Sequence, residues 1–170
     1  MPAAAGPRFS IVSAVHNVQR FLPEFIASID RQTFDLERVE VVMVDDGSTD
    51  ASLAELQEWA ARRPGLVTVL SQPNAGQGAA RNTALEHVHG EWVTFPDPDD
   101  TLDPDYLSIV DRFLTANERV ALVATNRIMF YEKTGVVAED HPMRRMMTSD
   151  QLVDLDRSPG FLDRKSTRLN

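Results

Sequence analysis

The stretch Val39-Glu-Val-Val-Met-Val-Asp-Asp-Gly-Ser-Thr-Asp50 decides the fold of this chain. Residues 39–44 are mostly apolar and β-branched, which is typical of a strand that is buried on both faces. The run stops at two carboxylates, Asp45 and Asp46, which a turn sequence follows. Open parallel sheets bind their ligands at the edge where the strands end. The pattern therefore predicts an α/β sheet that presents both carboxylates at a ligand-binding edge.

A second apolar run ends in the same way. Trp92-Val-Thr-Phe95 leads to Asp97-Pro98-Asp99-Asp100. Two carboxylates at alternating positions can reach one cation, and Mg²⁺ is often held by one or two carboxylates together with phosphate oxygens. Asp97 and Asp99 are therefore the predicted ligands of Mn²⁺ or Mg²⁺ beside a phosphorylated substrate. The alternative is a solvated Asp-Pro turn that caps the next helix.

Composition excludes several classes of function. With 170 residues, of which 42% are hydrophobic, the chain can form one domain, or one domain and a fragment, with a real core. A net charge of −9 argues against nucleic acid and against anionic membrane surfaces as partners. The absence of cysteine excludes disulfides and thiolate chemistry. No stretch reaches the ~18–20 apolar residues of a membrane span, so no transmembrane segment is expected.

Apolar periodicity predicts strands that alternate with helices. The predicted strands cover residues 9–15, 39–44, 66–70, 91–95 and 120–125. The predicted helices cover residues 21–32, 52–63, 79–88 and 104–115, with Ser48 or Asp50 as the cap of the second helix. A hairpin is predicted around residues 133–135. This alternation predicts a mostly parallel sheet with helices on both faces.

Two further segments fall at the same predicted edge. Asn74-Ala-Gly-Gln-Gly78 is a loop that leads into a helix, and Arg81 follows one turn later. Arginine is a good bidentate donor to phosphate, so we predict that Arg81 reaches the phosphates or base of a nucleotide. A simple helix cap with glycines for loop geometry is the alternative. His16 and Asn17 follow the first strand. We predict that His16 contacts a base or ribose there; a structural role is the alternative.

These motifs, in this order, resemble the family 2 glycosyltransferases, which have the GT-A fold. The matching segments are residues 10–17, 28–33, 44–50, 74–82 and 91–100, and the resemblance covers residues 8 to about 125. It implies a Rossmann-like, mostly parallel α/β sheet that binds the nucleotide part of a nucleotide-sugar donor.

The resemblance also implies a set of donor-site residues. They are Ala14, Val15, His16, Asn17, Asp45, Asp46, Gly76, Arg81, Asp97, Pro98 and Asp99. The end of the first strand and Asp45 would contact the base and ribose, and Arg81 would lie near the nucleotide. Asp97 and Asp99 would hold the ribose and the metal-bridged diphosphate. The implied reaction is inverting sugar transfer, with a UDP-sugar favoured, to a glycan, a polyol-phosphate polymer or a lipid-linked acceptor.

Three residues depart from the family pattern. Ala14 and His16 stand where the family usually has Pro and Tyr, which leaves the donor base open. Pro96 replaces an aliphatic residue and cannot donate a hydrogen bond in what would be a central strand. We therefore expect some perturbation at that edge of the site.

Three segments are expected along the chain. Residues 1–7 would be a disordered lead-in, residues 8–138 the GT-A nucleotide-sugar-binding domain, and residues 139–170 an incomplete acceptor-side segment with a tail that is not native sequence. The general base is expected beyond the end of a truncated chain, so no catalytic residue is assigned. The expected location is cytoplasmic, or at the inner face of the membrane through the missing C-terminal part.

Other classes share single features with this chain. A haloacid-dehalogenase-type phosphatase would carry its Asp-x-Asp motif on the first strand, with Gly where Asp100 stands. A receiver domain needs a phosphoacceptor Asp after the third strand, where Ser71-Gln72 follow. A sugar nucleotidyltransferase needs a glycine-rich basic loop after the first strand. A GT-A domain that binds nucleotide without turnover is the most serious alternative.

Overall fold

The computed structural model of the chain describes residues 6–121, 123 and 125. Four strands and four helices alternate within these residues, and a single 3₁₀ turn, Leu36–Arg38, precedes the second strand. In chain order they are β1 (Phe9–Val15), α1 (Leu22–Asp30), β2 (Val39–Asp46), α2 (Ser52–Arg62), β3 (Val67–Gln72), α3 (Gln77–Leu85), β4 (Trp92–Thr94) and α4 (Tyr106–Ala116). The predicted alternation of strands and helices is confirmed over this range.

All four strands are parallel, in the order β3-β2-β1-β4. β1 pairs with β2 along its whole length, so that Val15 lies opposite Asp45. Among the described residues, β4 pairs with the first part of β1, as far as the pair of Ile11 and Thr94. Because the strands are parallel, their carboxyl ends lie at one edge of the sheet.

Alternate residues of β1 and β2 fill the two faces of the sheet. On one face, Val12, Val42 and Val44 pack against Ala80 and Ala84 of α3, and the small alanine side chains let the helix come close. Residues of the opposite face are buried as well, namely Ile11, Val41 and Met43. Burial on both faces explains why these strands read as unbroken apolar runs.

Gln32 and Thr33 join the end of α1 to the start of α4. The buried Gln32 side chain donates to the Asp103 carbonyl at 2.7 Å and accepts from the Leu107 N–H at 3.1 Å. The Thr33 N–H donates to the Pro104 carbonyl at 2.8 Å. Gln32 thereby supplies an acceptor for the Leu107 N–H, one of the N–H groups in the first turn of α4 that the helix itself leaves unpaired.

Some element boundaries differ from the prediction. β2 continues through Asp46 and β3 through Gln72, so Asp45 lies inside its strand and not after it. β4 ends at Thr94, which places Pro96 outside the sheet. The perturbation that Pro96 is expected to cause at that edge of the site stays a prediction.

Parts of the prediction fall beyond the described residues. The predicted strand over 120–125 lies partly outside them, and the hairpin around 133–135 and the domain boundary at residue 138 lie wholly outside. The chain divides into two compact units, residues 1–115 and 116–170. Among the helices that the structure describes, none combines the length and the apolar character needed to cross a membrane.

Candidate functional site

The carboxylate of Asp45 lies at the carboxyl edge of the sheet and is only 1% exposed. Its Oδ2 accepts from the Ser48 N–H at 3.3 Å and from the Ser71 hydroxyl at 3.5 Å, both long hydrogen bonds. Its Oδ1 is buried and has no hydrogen-bond partner in the described part of the chain. A buried carboxylate oxygen without a donor is unfavourable. Asp45 Oδ1 is therefore suited to accept a hydrogen bond from a ligand.

The neighbouring Asp46 faces the other side of the sheet, where the protein itself occupies its carboxylate. Oδ1 accepts from Gln72 Nε2 at 2.7 Å and from the Ala75 N–H at 2.9 Å, and Oδ2 accepts from the Gly76 N–H at 2.7 Å. Burial raises the pKa of Asp46, but the hydrogen bonds from Ala75, Gln72 and Gly76 lower that pKa more, to below its ordinary value. Asp46 therefore stays ionised and holds the loop that leads into α3.

Gly76 begins α3 with a φ of 87°, a backbone conformation that glycine adopts without strain. Because its N–H is bound to Asp46, the position of α3 depends on the end of β2. The predicted residues Asp46 and Gly76 are thus brought together, and they contact each other.

Arg81 connects α3 to the second acidic segment. Its Nη2 donates to Asp97 Oδ1 at 2.6 Å. The pair is partly open to solvent, since the Asp97 side chain is 53% exposed, so it contributes little to stability. Arg81 Nε is buried and has no partner among the described residues, which leaves a second unsatisfied group at this edge.

The segment after β4 is held against β1. The Ser13 hydroxyl donates to the Pro96 carbonyl at 2.8 Å, and a turn follows in which the Asp100 N–H donates to the Asp97 carbonyl at 3.0 Å. Pro98 is buried within this turn. The structure therefore presents Asp97 on a turn whose start is fixed to the sheet.

Asp97 and Asp99 are the carboxylates of this segment that could hold a divalent cation. Both are exposed, and the described residues contain no group of three His, Cys, Asp or Glu side chains arranged around a metal position. Two carboxylates fit Mg²⁺ or Mn²⁺, because such ions take their remaining ligands from water and substrate phosphates. The residues present are thus compatible with a cation that binds together with a diphosphate.

The loop after β1 completes this edge. His16 is exposed, and its Nδ1 lies 2.9 Å from the Asp46 carbonyl oxygen, while Asn74 Nδ2 approaches the ring at 3.2 Å. Ala14 is half-buried against the α3 side of the sheet, and Val15 is fully buried. These residues lie at the end of β1, next to Asp45 and Asp46 at the end of β2.

Ser71 and Gln72 are edge residues that the sequence analysis missed. Parallel pairing places Ser71 beside Asp45 and Gln72 beside Asp46. Gln72 donates to Asp46 and accepts from the Thr83 hydroxyl at 2.7 Å, so it also fixes α3. The predicted third strand ended at residue 70, whereas β3 continues to Gln72, so the prediction left both residues outside the strand.

The parallel sheet with helices places this chain among the α/β domains, a class in which ligands bind at the carboxyl ends of the strands. Residues 10–162 match the family described as Glycosyl transferase family 2. The chain belongs to this family, as its motifs predicted.

Relatives of known name support the same assignment. Over 152 residues the chain is 28% identical to the minor teichoic acid biosynthesis protein GgaB of Bacillus subtilis, covering 89% of the chain and 16% of GgaB. It is 32% identical over 107 residues to the Staphylococcus aureus poly(ribitol-phosphate) β-N-acetylglucosaminyltransferase TarS, covering 63% of the chain and 19% of TarS.

Two solved structures share the fold. The S. aureus TarS 1–349 complex with UDP superposes with a TM-score of 0.62 at 29% identity, covering 74% of this chain and 40% of TarS 1–349. The mannosyltransferase PcManGT of Pyrobaculum calidifontis, in complex with GDP-Man and Mn²⁺, superposes with a TM-score of 0.64 at 28% identity, covering 73% and 37% of the two chains. The GT-A prediction is confirmed, and this chain spans less than half the length of these proteins.

Proposed function

We propose that this chain carries the donor-binding part of an inverting, metal-dependent glycosyltransferase that uses a nucleoside-diphosphate sugar. The observation that carries the proposal is the buried, unpartnered Oδ1 of Asp45 at the carboxyl edge of the sheet. A pyrimidine ring N–H or a ribose hydroxyl would supply the missing donor. UDP is the favoured nucleotide, because the TarS structure that shares this fold contains UDP.

The second unsatisfied group, Arg81 Nε, would donate to the nucleotide. Asp97 and Asp99 would hold the Mn²⁺ or Mg²⁺, with PcManGT, which contains Mn²⁺, as the supporting relative. When bound, the cation offsets the negative charge that develops on the departing nucleoside diphosphate. Pro98 lies between Asp97 and Asp99 in the sequence and is buried, so it would keep the distance between the two carboxylates constant.

The remaining predicted donor-site residues would shape the site. Val15 and Ala14 would form its floor at the end of β1, and His16 would lie at its exposed rim. Asp46 and Gly76 contact each other, so their role in the proposal is to place α3 and not to touch the nucleotide.

In the transfer step, an acceptor hydroxyl oxygen would bond to the anomeric carbon as the bond from that carbon to the diphosphate oxygen breaks. Attack from the opposite face inverts the configuration, and the hydroxyl proton passes to a general base. The base is expected outside the described residues. The name of TarS supports a polyol-phosphate polymer as the acceptor, and the name of GgaB supports a role in teichoic acid synthesis; other glycans and lipid-linked acceptors are alternatives. The predicted cytoplasmic location stays a prediction.

Calorimetry with UDP and Mn²⁺ tests the donor site. Wild-type protein should bind UDP in the presence of Mn²⁺ and much less tightly after chelation with EDTA, and Asp99→Ala should lose this metal dependence. Glu58→Ala is the matched control, because Glu58 is an exposed carboxylate on α2 that makes a long 3.9 Å ion pair with Arg62. Failure of folded wild-type protein to bind any nucleoside diphosphate would overturn the proposal.

Nucleotide binding without turnover is a second candidate, because the described residues are assigned a donor site and no general base. The two candidates differ in one assay. Release of UDP from UDP-GlcNAc, stimulated by a poly(ribitol-phosphate) acceptor, would support transfer. Tight binding of UDP without such release would support the second candidate.

A further inference from the structure

We propose that Asn17 is a positioning residue of the donor site: it fixes the loop after β2 and, through Ser48, orients the carboxylate of Asp45. This inference rests on the proposed function. It differs from the sequence prediction, in which Asn17 contacts the nucleotide itself.

The backbone of Asn17 is the first observation. Its φ of 54° lies in the left-handed region, and Asn17 is the one non-glycine residue with a positive φ in the part of the chain that the structure describes. Asn tolerates this conformation better than most residues. The chain therefore turns sharply at Asn17, directly after β1, and directs the Asn17 side chain toward the loop that follows β2.

The side chain of Asn17 is occupied by that loop. Its Oδ1 accepts from the Thr49 N–H at 2.7 Å, from the Thr49 hydroxyl at 3.2 Å and from the Asp50 N–H at 3.3 Å. An amide oxygen has two lone pairs, so three donors use its whole capacity. Asn17 Oδ1 is therefore committed to the protein.

The same loops exchange further hydrogen bonds in both directions. The Gln19 N–H donates to Asp50 Oδ2 at 3.1 Å, and Gln19 Oε1 accepts from the Ala51 N–H at 3.2 Å. Asp50 Oδ1 also accepts from the Ser52 N–H at 2.9 Å, although the N-cap position of α2 is Ala51 and not the predicted Ser48 or Asp50. Asn17 and Gln19 of the loop after β1 are thus hydrogen-bonded to residues 49–51 of the loop after β2, and these contacts hold the two loops together.

A short path of hydrogen bonds leads from Asn17 to the ligand-binding carboxylate. The Asn17 N–H donates to the Ser48 hydroxyl at 3.0 Å, and the Ser48 N–H donates to Asp45 Oδ2 at 3.3 Å. Ser48 thereby engages Oδ2 and leaves Oδ1 for the ligand. Loss of the Asn17 Oδ1 contacts would release the Thr49 and Asp50 backbone and leave the loop that carries Ser48, a donor to Asp45 Oδ2, less constrained.

Three variants separate the contributions of Asn17. Asn17→Gly keeps the left-handed backbone accessible but removes the acceptor. Asn17→Asp keeps both an acceptor oxygen and tolerance of the left-handed region, so it is the conservative rescue. Thr49→Val is a mild control, because it removes only the longer hydroxyl contact and keeps the backbone donors.

The experiment combines UDP titration in the presence of Mn²⁺ with amide hydrogen exchange and thermal unfolding of the full chain. We expect Asn17→Gly to weaken UDP binding about tenfold, because the loop must then be ordered on binding. Exchange at the Thr49 and Asp50 amides should become faster, while the thermal midpoint shifts by no more than about 5 °C. Asn17→Asp and Thr49→Val should bind UDP within about threefold of wild type, which is less than about 1 kcal/mol.

The outcomes separate this inference from the proposed function. Absence of UDP binding by wild-type protein would overturn the proposed function and this inference with it. Binding by wild-type protein that Asn17→Gly leaves unchanged would overturn the inference alone. A loss of affinity in Asn17→Gly that Asn17→Asp does not restore would also overturn it, because the acceptor oxygen would then not be the cause.

Discussion

Asp45 and Asp46 are consecutive residues at the end of β2, yet their carboxylates lie on opposite faces of the sheet and differ in what they bind. Asp46 accepts three hydrogen bonds from Gln72, Ala75 and Gly76. Asp45 Oδ1 is buried and accepts none from the described part of the chain. One strand end thus supplies a carboxylate that holds the fold together and, in our proposal, a second one that binds the donor.

Asp45→Asn should weaken UDP binding, because it removes the charge that strengthens the hydrogen bond to the ligand. A hydrogen bond to a charged group contributes ≈ 1.5–3 kcal/mol and one to a neutral group ≈ 0.5–1.5 kcal/mol, so the difference of about 1–1.5 kcal/mol should lower the affinity about 5- to 12-fold. The free energy of unfolding should change by less than about 1 kcal/mol, since Asp45 makes only long hydrogen bonds within the protein. Calorimetry and urea unfolding measure the two effects. Unchanged affinity would remove Asp45 from the donor site.

Asp46→Ala should lower the free energy of unfolding by about 3 kcal/mol, because three donors lose their acceptor. Urea unfolding at neutral pH measures this change. Asp35→Ala is the control, since Asp35 is exposed and its carboxylate accepts from a single N–H, that of Glu37, among the residues that the structure describes. The Asp35→Ala substitution should lower the free energy of unfolding by about 1 kcal/mol. Equal losses in the two variants would contradict the structural role of Asp46.

Stability should fall in acid, and Asp46 and Glu40 should contribute to the fall. Burial raises the pKa of each carboxyl, but hydrogen bonds lower it more, in Glu40 from Ser10, His89 and Gly90. A depressed pKa in the folded state gives stability that is complete above the unfolded values, 3.8 for Asp and 4.5 for Glu, and is lost as pH falls through the lower folded values.

Urea unfolding at a series of pH values tests this dependence. The free energy of unfolding of wild-type protein should be nearly constant from about pH 7 to 5 and decrease below about pH 4.5. The double variant Asp46→Asn with Glu40→Gln should be less stable at neutral pH and should show a shallower decrease in acid. An equally steep decrease in the double variant would assign the acid sensitivity to other groups.

Gly90→Ala should be strongly destabilising. A Cβ at position 90 would lie 2.7 Å from the Ser10 backbone nitrogen and 2.8 Å from the Phe9 carbonyl carbon, and it would also collide with the Ser10 hydroxyl. Because backbone atoms cannot yield as a flexible side chain does, we expect a loss of about 3 kcal/mol.

Gly78→Ala is the matched control for that substitution. A Cβ at position 78 meets no atom within 4 Å, and Gly78 lies in α3. Alanine should therefore stabilise the helix by about 0.5–1 kcal/mol. Thermal unfolding of both variants measures the contrast, and similar midpoints would show that the loop before β4 can move away from β1.

Much of the fold could be predicted because its signals are local. The apolar runs of β1 and β2, buried on both faces, and the apolar faces of the helices follow from the order of residue types alone. The expectation that strands ending in Asp share one edge also holds, since it needs only parallel strands. The end of β2 was harder to predict, because Asp disfavours strands and the pairing of Asp45 and Asp46 with β3 overrides that preference.

The sequence alone therefore determined the class of fold, the family and the edge at which the site lies. Only the tertiary structure decided which carboxylates are occupied and which are open. Asp46 is satisfied by Gln72, Ala75 and Gly76, and Asp97 is paired with Arg81, all through contacts between segments distant in the chain. A hydrogen bond forms only when donor and acceptor come within about 3 Å in the right direction. The packing of separate loops at the sheet edge sets that distance, and no local pattern of residue types encodes it.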